Sequence, residues 1–245
     1  MRGLLAAVGF LTRIPVPSRV FADSGARARS LPWYPLVGLL IGVVVCGLDA
    51  LLPDSRALLA AALVLATWVW LTGALHLDGL ADMADAWVGG MAGDADASRV
   101  RTLEIMKDPR SGPAAVTAVV LVLLLKFAAL ASLPAPAWAV LWMAPMLARM
   151  AVVAAFATTP YVRGGGIGSG LADAPRMACA VSLLVGIALC GLAGVRGLIA
   201  LAAVAVVFWL WRRACVKRLG GITGDTAGAL IEMSEAAALV ALALA

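Results

Sequence analysis

Apolar residues run through this chain in seven long blocks separated by short polar segments. A helix that crosses a bilayer needs about 20 mostly apolar residues, and most of these blocks approach that length. The blocks are residues 35–52, 57–75, 113–132, 137–158, 177–194, 197–211 and 228–245. The sixth block is short and follows the fifth almost directly, so these two could form a tight hairpin. The pattern predicts an all-α polytopic membrane bundle with six to seven transmembrane helices, all within a single domain over residues 1–245.

The first 33 residues do not fit this pattern of blocks. Residues 3–12 are apolar and follow Arg2, as in a signal peptide, but no small-residue cleavage site comes after them. Residues 13–33 contain prolines and four arginines. We predict a retained interfacial helix followed by a surface arm.

The composition supports a membrane protein and excludes several kinds of site. Hydrophobic residues make up 63% of the chain and charged residues 13%, against about 45–50% and 25% in soluble domains. The four cysteines form no C-x-x-C pair and there is one histidine, so zinc, iron–sulfur and multi-histidine centres are not expected. The net charge of +5 is typical of a topology bias, so no nucleic-acid partner is expected.

The basic residues predict the orientation of the bundle. Fifteen of the 19 lie between blocks on one side, and only Arg56 and Arg196 lie on the other. The positive-inside rule places the first side in the cytoplasm, which predicts a multi-pass protein of the bacterial inner membrane. The long loops 76–112, 159–176 and 212–227 then face the cytoplasm, and active-site residues are expected there.

Some charged residues fall inside apolar blocks. Lys126 lies near a block centre and should pair with an acid or face a cavity. Arg149 either snorkels to the surface or marks a misplaced block boundary. Glu232 and Glu235 indicate that the last block is either a span lining the bundle or an interfacial helix.

Acidic residues concentrate in the segment 76–112. Seven of the chain's 14 acids lie between Asp78 and Asp108. Asp78, Asp82 and Asp85 have i, i+4, i+7 spacing, which places them on one face of a helix. Carboxylates without histidine or thiolate suit Mg²⁺ or Mn²⁺. The alternative is a solvated acidic helix end.

The same segment continues with mixed charges. Glu104 and Asp108 are again four residues apart, and Lys107 and Arg110 flank the second acid. Bases beside a metal site suit a phosphate ligand, because they pair with the oxygens that the metal leaves free. The alternative is an ion-paired surface turn.

Two further cytoplasmic loops are rich in glycine. Residues 161–173 contain Arg163 and glycines at 164–166, 168 and 170, and such a loop can present backbone N–H groups to phosphate or serve as a flexible connector. In residues 217–235, Asp225 or Thr226 could cap a helix that begins near Gly228.

These motifs together resemble the cobalamin synthase family, the adenosylcobinamide-GDP ribazoletransferases. The resemblance lies in LTGALHLDGLADMADAWVGG, RTLEIMKDPRSGP and GGITGDTAGALIEMSE, with FLTRIPVP and WYPLVGLLIG nearer the N-terminus. It covers nearly the whole chain in order.

The resemblance implies an Mg²⁺-dependent phosphoryl transfer. A ribose hydroxyl of α-ribazole, or of its 5′-phosphate, attacks the cobinamide-linked phosphorus of adenosylcobinamide-GDP; GMP leaves and adenosylcobalamin or its phosphate forms. We expect the metal to be held by Asp78, Asp82 and Asp85. Phosphate and substrate contacts are expected from Lys107, Arg110, Arg163, Asp225 and Thr226. The candidate catalytic residues, none of them assigned as the base, are His76, Asp82, Glu104 and Asp108.

Two other functions compete with this one. CDP-alcohol phosphotransferases share a D-G element at a helix end, but their pattern has Arg where this chain has Asp82, and Asp where it has Ser98. An ion or metal transporter should hold its carboxylates near the bilayer midplane, whereas these lie at the predicted membrane edge.

Overall fold

The computed structural model describes residues 2–23, 25–134, 136–164 and 167–245. Its helices are α1 Arg2–Leu11, α2 Tyr34–Asp49, α3 Ala57–Thr72, α4 Leu75–Gly89, α5 Ala95–Ile105, α6 Pro113–Ala131, α7 Trp138–Leu141, α8 Met143–Thr158, α9 Arg176–Leu192, α10 Gly194–Leu219 and α11 Gly224–Ala243. No strand forms within those ranges, where Tyr161 and Ile222 pair in one isolated bridge. The all-α prediction is confirmed.

Several helices are long and apolar enough to cross a membrane. They are Ala28–Asp49, Pro113–Ala131, Trp138–Thr158, Gly194–Leu219 and Gly224–Ala243. The helices α3 and α4 meet the same criteria only as a pair, and they are bent by 87°. Counting that pair once gives up to six spans within the described residues, at the lower end of the predicted range. The chain is therefore a multi-pass membrane protein.

The C-terminal helix boundaries differ from the predicted ones. The helix α10 continues to Leu219, past the predicted end at 211, and leaves the helical conformation at Gly220, whose φ is +74°. The helix α11 begins at Gly224 rather than near Gly228, because Thr223 and Thr226 form a capping box. The predicted loop 212–227 is thus largely helical. Between α9 and α10 only Ala193 intervenes, so these two form the tight hairpin.

The N-terminal segment is built into the bundle. The helix α1 buries Ala6, Ala7 and Leu11 and packs on the 3₁₀ helix Ala28–Trp33. Within the predicted arm 13–33, Arg29 pairs with Asp23 at 2.5 Å. The arm therefore folds back on α1.

Two helices lie at the centre of the bundle. In an 18-residue apolar stretch of each helix, 83% of residues are buried in Trp138–Thr158 and 72% in α11, against 22% in α6 and in α10. The outer helices expose apolar side chains such as Leu124 and Leu198, as a lipid-facing surface requires. The central helices α8 and α11 contact each other and α10, and α11 also contacts α4 and α6.

Two cations and two carboxylates meet between α6, α8 and α11. Lys126 Nζ lies 2.5 Å from Oε2 of both Glu232 and Glu235, and Arg149 Nη1 donates to Glu235 Oε1. All four side chains are at most 5% exposed. The expected pairing of Lys126 is confirmed, and Glu232 and Glu235 line the bundle interior. Arg149 neither snorkels nor marks a boundary, because its guanidinium is fully buried and paired.

Removing one carboxylate from this group should reveal how its charges are shared. Glu235→Gln leaves Arg149 without an anion, so we expect the free energy of unfolding in detergent to fall by about 3–5 kcal/mol. Glu232→Gln is the matched control: Glu235 still pairs with both cations, so the loss should be clearly smaller. Equal losses in the two variants, measured by denaturant unfolding, would contradict the arrangement.

Candidate active site

The acidic helix α4 is turned sharply away from α3. Gly73 and Ala74 both adopt the left-handed conformation, with φ of +65° and +58°, and their N–H groups bond to Trp70 O and Val69 O. A left-handed alanine is strained, so the bend must be held by the surrounding packing. Because of the 87° bend, the carboxylates of α4 do not lie along the axis of α3.

Two glycines let α4 approach α11 closely. A Cβ at Gly79 would lie 2.8 Å from the carbonyl oxygen of Asp225 and 3.2 Å from Cα of Gly228. A Cβ at Gly228 would lie 3.3 Å from Cα of Gly79. This contact places Asp225, which is far away in sequence, beside Asp78 and Asp82.

The capping box at the start of α11 determines which side chains are free. Thr223 Oγ1 accepts from the N–H of Thr226, and Thr226 Oγ1 accepts from the N–H of Thr223. Thr226 is fully buried, so the predicted phosphate contact from this residue is not formed, and neither Thr226 nor Asp225 is the N-cap. The carboxylate of Asp225 instead lies 2.5 Å from Nη1 of Arg163.

A cavity of about 360 Å³ opens at this place. Its polar wall is formed by His76, Asp78, Tyr161, Arg163, Gly164, Gly168, Gly224 and Asp225. Its apolar wall includes Phe10, Leu11, Tyr34, Val152, Phe156 and Ile231. The predicted glycine-rich loop therefore does border the site, although Gly165 and Gly166 lie outside the described residues.

The three acids of α4 have different surroundings. Asp78 is exposed at the cavity, and Asp82 is partly buried one turn further along. Burial raises the pKa of Asp82 to about 6, and the nearby carboxylates of Asp78 and Asp225 add to the effect. Asp85 accepts hydrogen bonds from the backbone N–H groups of Gly112 and Ala115, so it caps the start of α6.

The basic and acidic residues of the segment 104–110 do not line the cavity. Glu104 and Lys107 are exposed. Arg110 Nε and Nη2 donate to the two carboxylate oxygens of Asp108 at 2.9 and 2.7 Å. These bonds lower the pKa of Asp108 to about 2. Asp108 and Arg110 thus form the ion-paired turn that the sequence left open as an alternative.

Sequence reasoning missed the surroundings of His76. The ring is 3% exposed, and its Nδ1 lies 3.5 Å from Nη2 of Arg149. The charged group between α6, α8 and α11 therefore extends to the cavity wall. The sequence singled out Arg149 as a charged residue within an apolar block. Only the packing of α8 against α11 identifies its partners.

The carboxylates near the cavity do not enclose a metal ion as their side chains stand. Across the described parts of the chain, no group of three or more His, Cys, Asp or Glu side chains is arranged to hold one.

The whole chain is similar to proteins of one family. The family described as cobalamin-5-phosphate synthase matches residues 3–243. A relative from Pseudomonas paraeruginosa, named adenosylcobinamide-GDP ribazoletransferase, is 52% identical over 248 residues, which cover 100% of this chain and 98% of the relative. Relatives of the same name from Stutzerimonas stutzeri and Pseudomonas fluorescens are 51% and 50% identical, with 98% and 100% of their lengths covered. No solved structure matches the chain.

The glycine contact between α4 and α11 can be tested with single methyl groups. Gly79→Ala forces the two helices apart, so we expect the free energy of unfolding in detergent to fall by about 1–3 kcal/mol. Gly47→Ala in α2 is the control: among the described residues, no atom beyond its chain neighbours and its own helix backbone lies within 4 Å of its added Cβ, so stability should stay equal or rise by up to about 1 kcal/mol. A Gly79→Ala protein as stable as the control would show that the helices are not tightly packed here.

Proposed function

The chain belongs to the cobalamin-5-phosphate synthase family, and on this basis we propose that it is an adenosylcobinamide-GDP ribazoletransferase acting by phosphoryl transfer. The observation that carries the proposal is identity of about 50% along the full chain with relatives of that name. The carboxylates and Arg163 around the cavity support it, because a pyrophosphate substrate needs both metal-binding oxygens and a cation. Neither the CDP-alcohol phosphotransferase nor the transporter alternative has comparable support.

The reaction joins a nucleoside, α-ribazole, or its 5′-phosphate to the phosphate of cobinamide. A ribose hydroxyl of α-ribazole or its 5′-phosphate attacks the phosphorus attached to cobinamide. A new P–O bond to the ribose forms, the P–O bond to GMP breaks, and the hydroxyl proton passes to a base. Of the candidate bases, His76 lines the cavity and Asp82 lies among its carboxylates, whereas Glu104 and Asp108 lie on the adjoining segment.

The carboxylates suit Mg²⁺ as the cofactor by their chemistry, and their side chains would have to move closer together to bind it. Asp78, Asp82 and Asp225 offer only oxygen ligands, which Mg²⁺ prefers. Their mutual repulsion contributes to the raised pKa of Asp82, and a divalent cation would relieve it. Asp85 is a weaker candidate ligand than these three residues because both of its carboxylate oxygens already accept hydrogen bonds at the start of α6. Bound there, Mg²⁺ would neutralise pyrophosphate oxygens and the charge on departing GMP.

The basic residues have two proposed tasks. Arg163 at the cavity would exchange its partner Asp225 for a phosphate oxygen of the substrate. Lys107 is exposed on the neighbouring segment and would contact the pyrophosphate from outside the cavity, and Arg110 would do so by exchanging its partner Asp108 for a phosphate oxygen. The cavity is far smaller than a corrinoid ring with its side chains, so that part of the substrate stays outside it.

GMP release is the direct test of this function. Purified protein in detergent, given adenosylcobinamide-GDP, α-ribazole and Mg²⁺, should release GMP and form adenosylcobalamin. Asp82→Asn should lower kcat by at least about a hundredfold, since it removes one oxygen ligand or the base. Asp96→Asn, an exposed acid of α5, is the matched control and should keep full activity. The proposal fails if the wild type releases no GMP but releases CMP from a CDP-alcohol.

The orientation of the bundle needs a separate experiment. The distribution of basic residues favours cytoplasmic active-site loops in the inner membrane of a bacterium. A reporter active only in the cytoplasm, fused after Asp96, should therefore be active. Activity of a periplasmic reporter at the same position, with none from the cytoplasmic one, would reverse the orientation.

A further inference from the structure

Two residues of the cavity wall each have a buried polar atom without a partner. His76 and Tyr34 line the cavity, and within the described residues neither Nε2 of His76, which is 3% exposed, nor the hydroxyl of Tyr34 has a hydrogen-bond partner. A buried polar atom that stays unpaired is costly, and native proteins normally supply a protein group, water or ligand. Because both residues line the same cavity, a ligand bound there would supply it.

The neighbouring arginine determines whether Nε2 of His76 acts as a hydrogen-bond donor or acceptor. The guanidinium of Arg149 has donors only, so its Nη2, 3.5 Å away, can meet Nδ1 of His76 only as an acceptor. The proton of the neutral ring is then on Nε2. A doubly protonated ring would place a second positive charge beside Arg149, which disfavours that form. Since Glu235 holds Arg149, the buried charges fix Nε2 of His76, a residue of the cavity wall, as an N–H donor.

The rest of the inner wall is aromatic and aliphatic. Phe10 and Tyr34 stack with ring centroids 6.4 Å apart, and Phe156 and Tyr161 stack at 5.8 Å. All four rings line the cavity together with aliphatic side chains. Such a wall, on which the N–H of His76 and the hydroxyl of Tyr34 are the buried unpaired groups, suits a flat, mostly apolar heterocycle that has one in-plane acceptor nitrogen.

We propose that this cavity binds the benzimidazole base of α-ribazole, and that His76 Nε2–H donates a hydrogen bond to its free ring nitrogen. The inference rests on the proposed function, whose two substrates bring a benzimidazole and a guanine. Guanine has several donors and acceptors on its edges, most of which a largely apolar wall with two unpaired polar groups would leave unsatisfied. The ribose would then lie at the polar wall, near Asp78, Arg163 and Asp225.

The kinetic test separates the two substrates. His76→Phe keeps a ring but loses the donor, so KM for α-ribazole should rise about tenfold while KM for adenosylcobinamide-GDP stays unchanged. His76→Gln, whose amide N–H reaches the position of Nε2, should restore the value to within about threefold. His76→Asn is the matched control, since its shorter amide reaches only the position of Nδ1, and it should behave like His76→Phe.

Calorimetric titration with α-ribazole alone measures binding, so its result does not depend on turnover. The titration of wild type also does not depend on whether a variant folds. Wild type, Asp82→Asn and His76→Gln should bind it, while His76→Asn should bind about tenfold more weakly. Failure of wild type to bind α-ribazole overturns the inference even if GMP is released; binding without GMP release refutes the proposed function instead. In the kinetic test, a rise only in KM for adenosylcobinamide-GDP would assign the cavity to guanine. A loss confined to kcat would make His76 a base. Either result overturns the inference.

Discussion

The pairing of Glu235 with Lys126 and Arg149 is the interaction on which the bundle interior depends. An unpaired charge is costly inside a membrane protein, so three helices must keep these side chains together. Two cations and two carboxylates leave the group without net charge. The same pairing holds Arg149 against His76, so a feature needed for stability also determines what the cavity wall presents.

The site itself depends on close backbone packing at its edge. Gly79 and Gly228 allow α4 to lie against the first turn of α11, and this brings Asp225 to the acids of α4. The left-handed turn at Gly73 and Ala74 makes that approach possible, since a straight continuation of α3 would carry the acids along the span. A strained turn and a glycine contact thus position the proposed chemistry.

Local spacing was a good guide to some residues and a poor one to others. Asp78 and Asp82 share the predicted face, but Asp85 caps α6, because the start of that helix has Gly112 and no capping side chain of its own. Thr226 follows a glycine-rich stretch that is typical of a ligand loop, yet its hydroxyl completes a capping box. In both cases a backbone N–H group competes for the side chain. For Thr226 that group is three residues away, whereas for Asp85 it lies on another helix, and the local sequence does not encode that proximity.

Hydrophobic block lengths by themselves determined that this is a helical membrane protein, because a bilayer requires long apolar helices whatever their packing. The motifs, read as a resemblance, also indicated the family and most residues near the site. Only the tertiary structure decided which buried charges pair, that α4 leaves the path of α3, and that His76 joins Arg149 to an aromatic cavity. Those features arise from contacts between helices distant in sequence, where close approach and charge neutralisation select the partners.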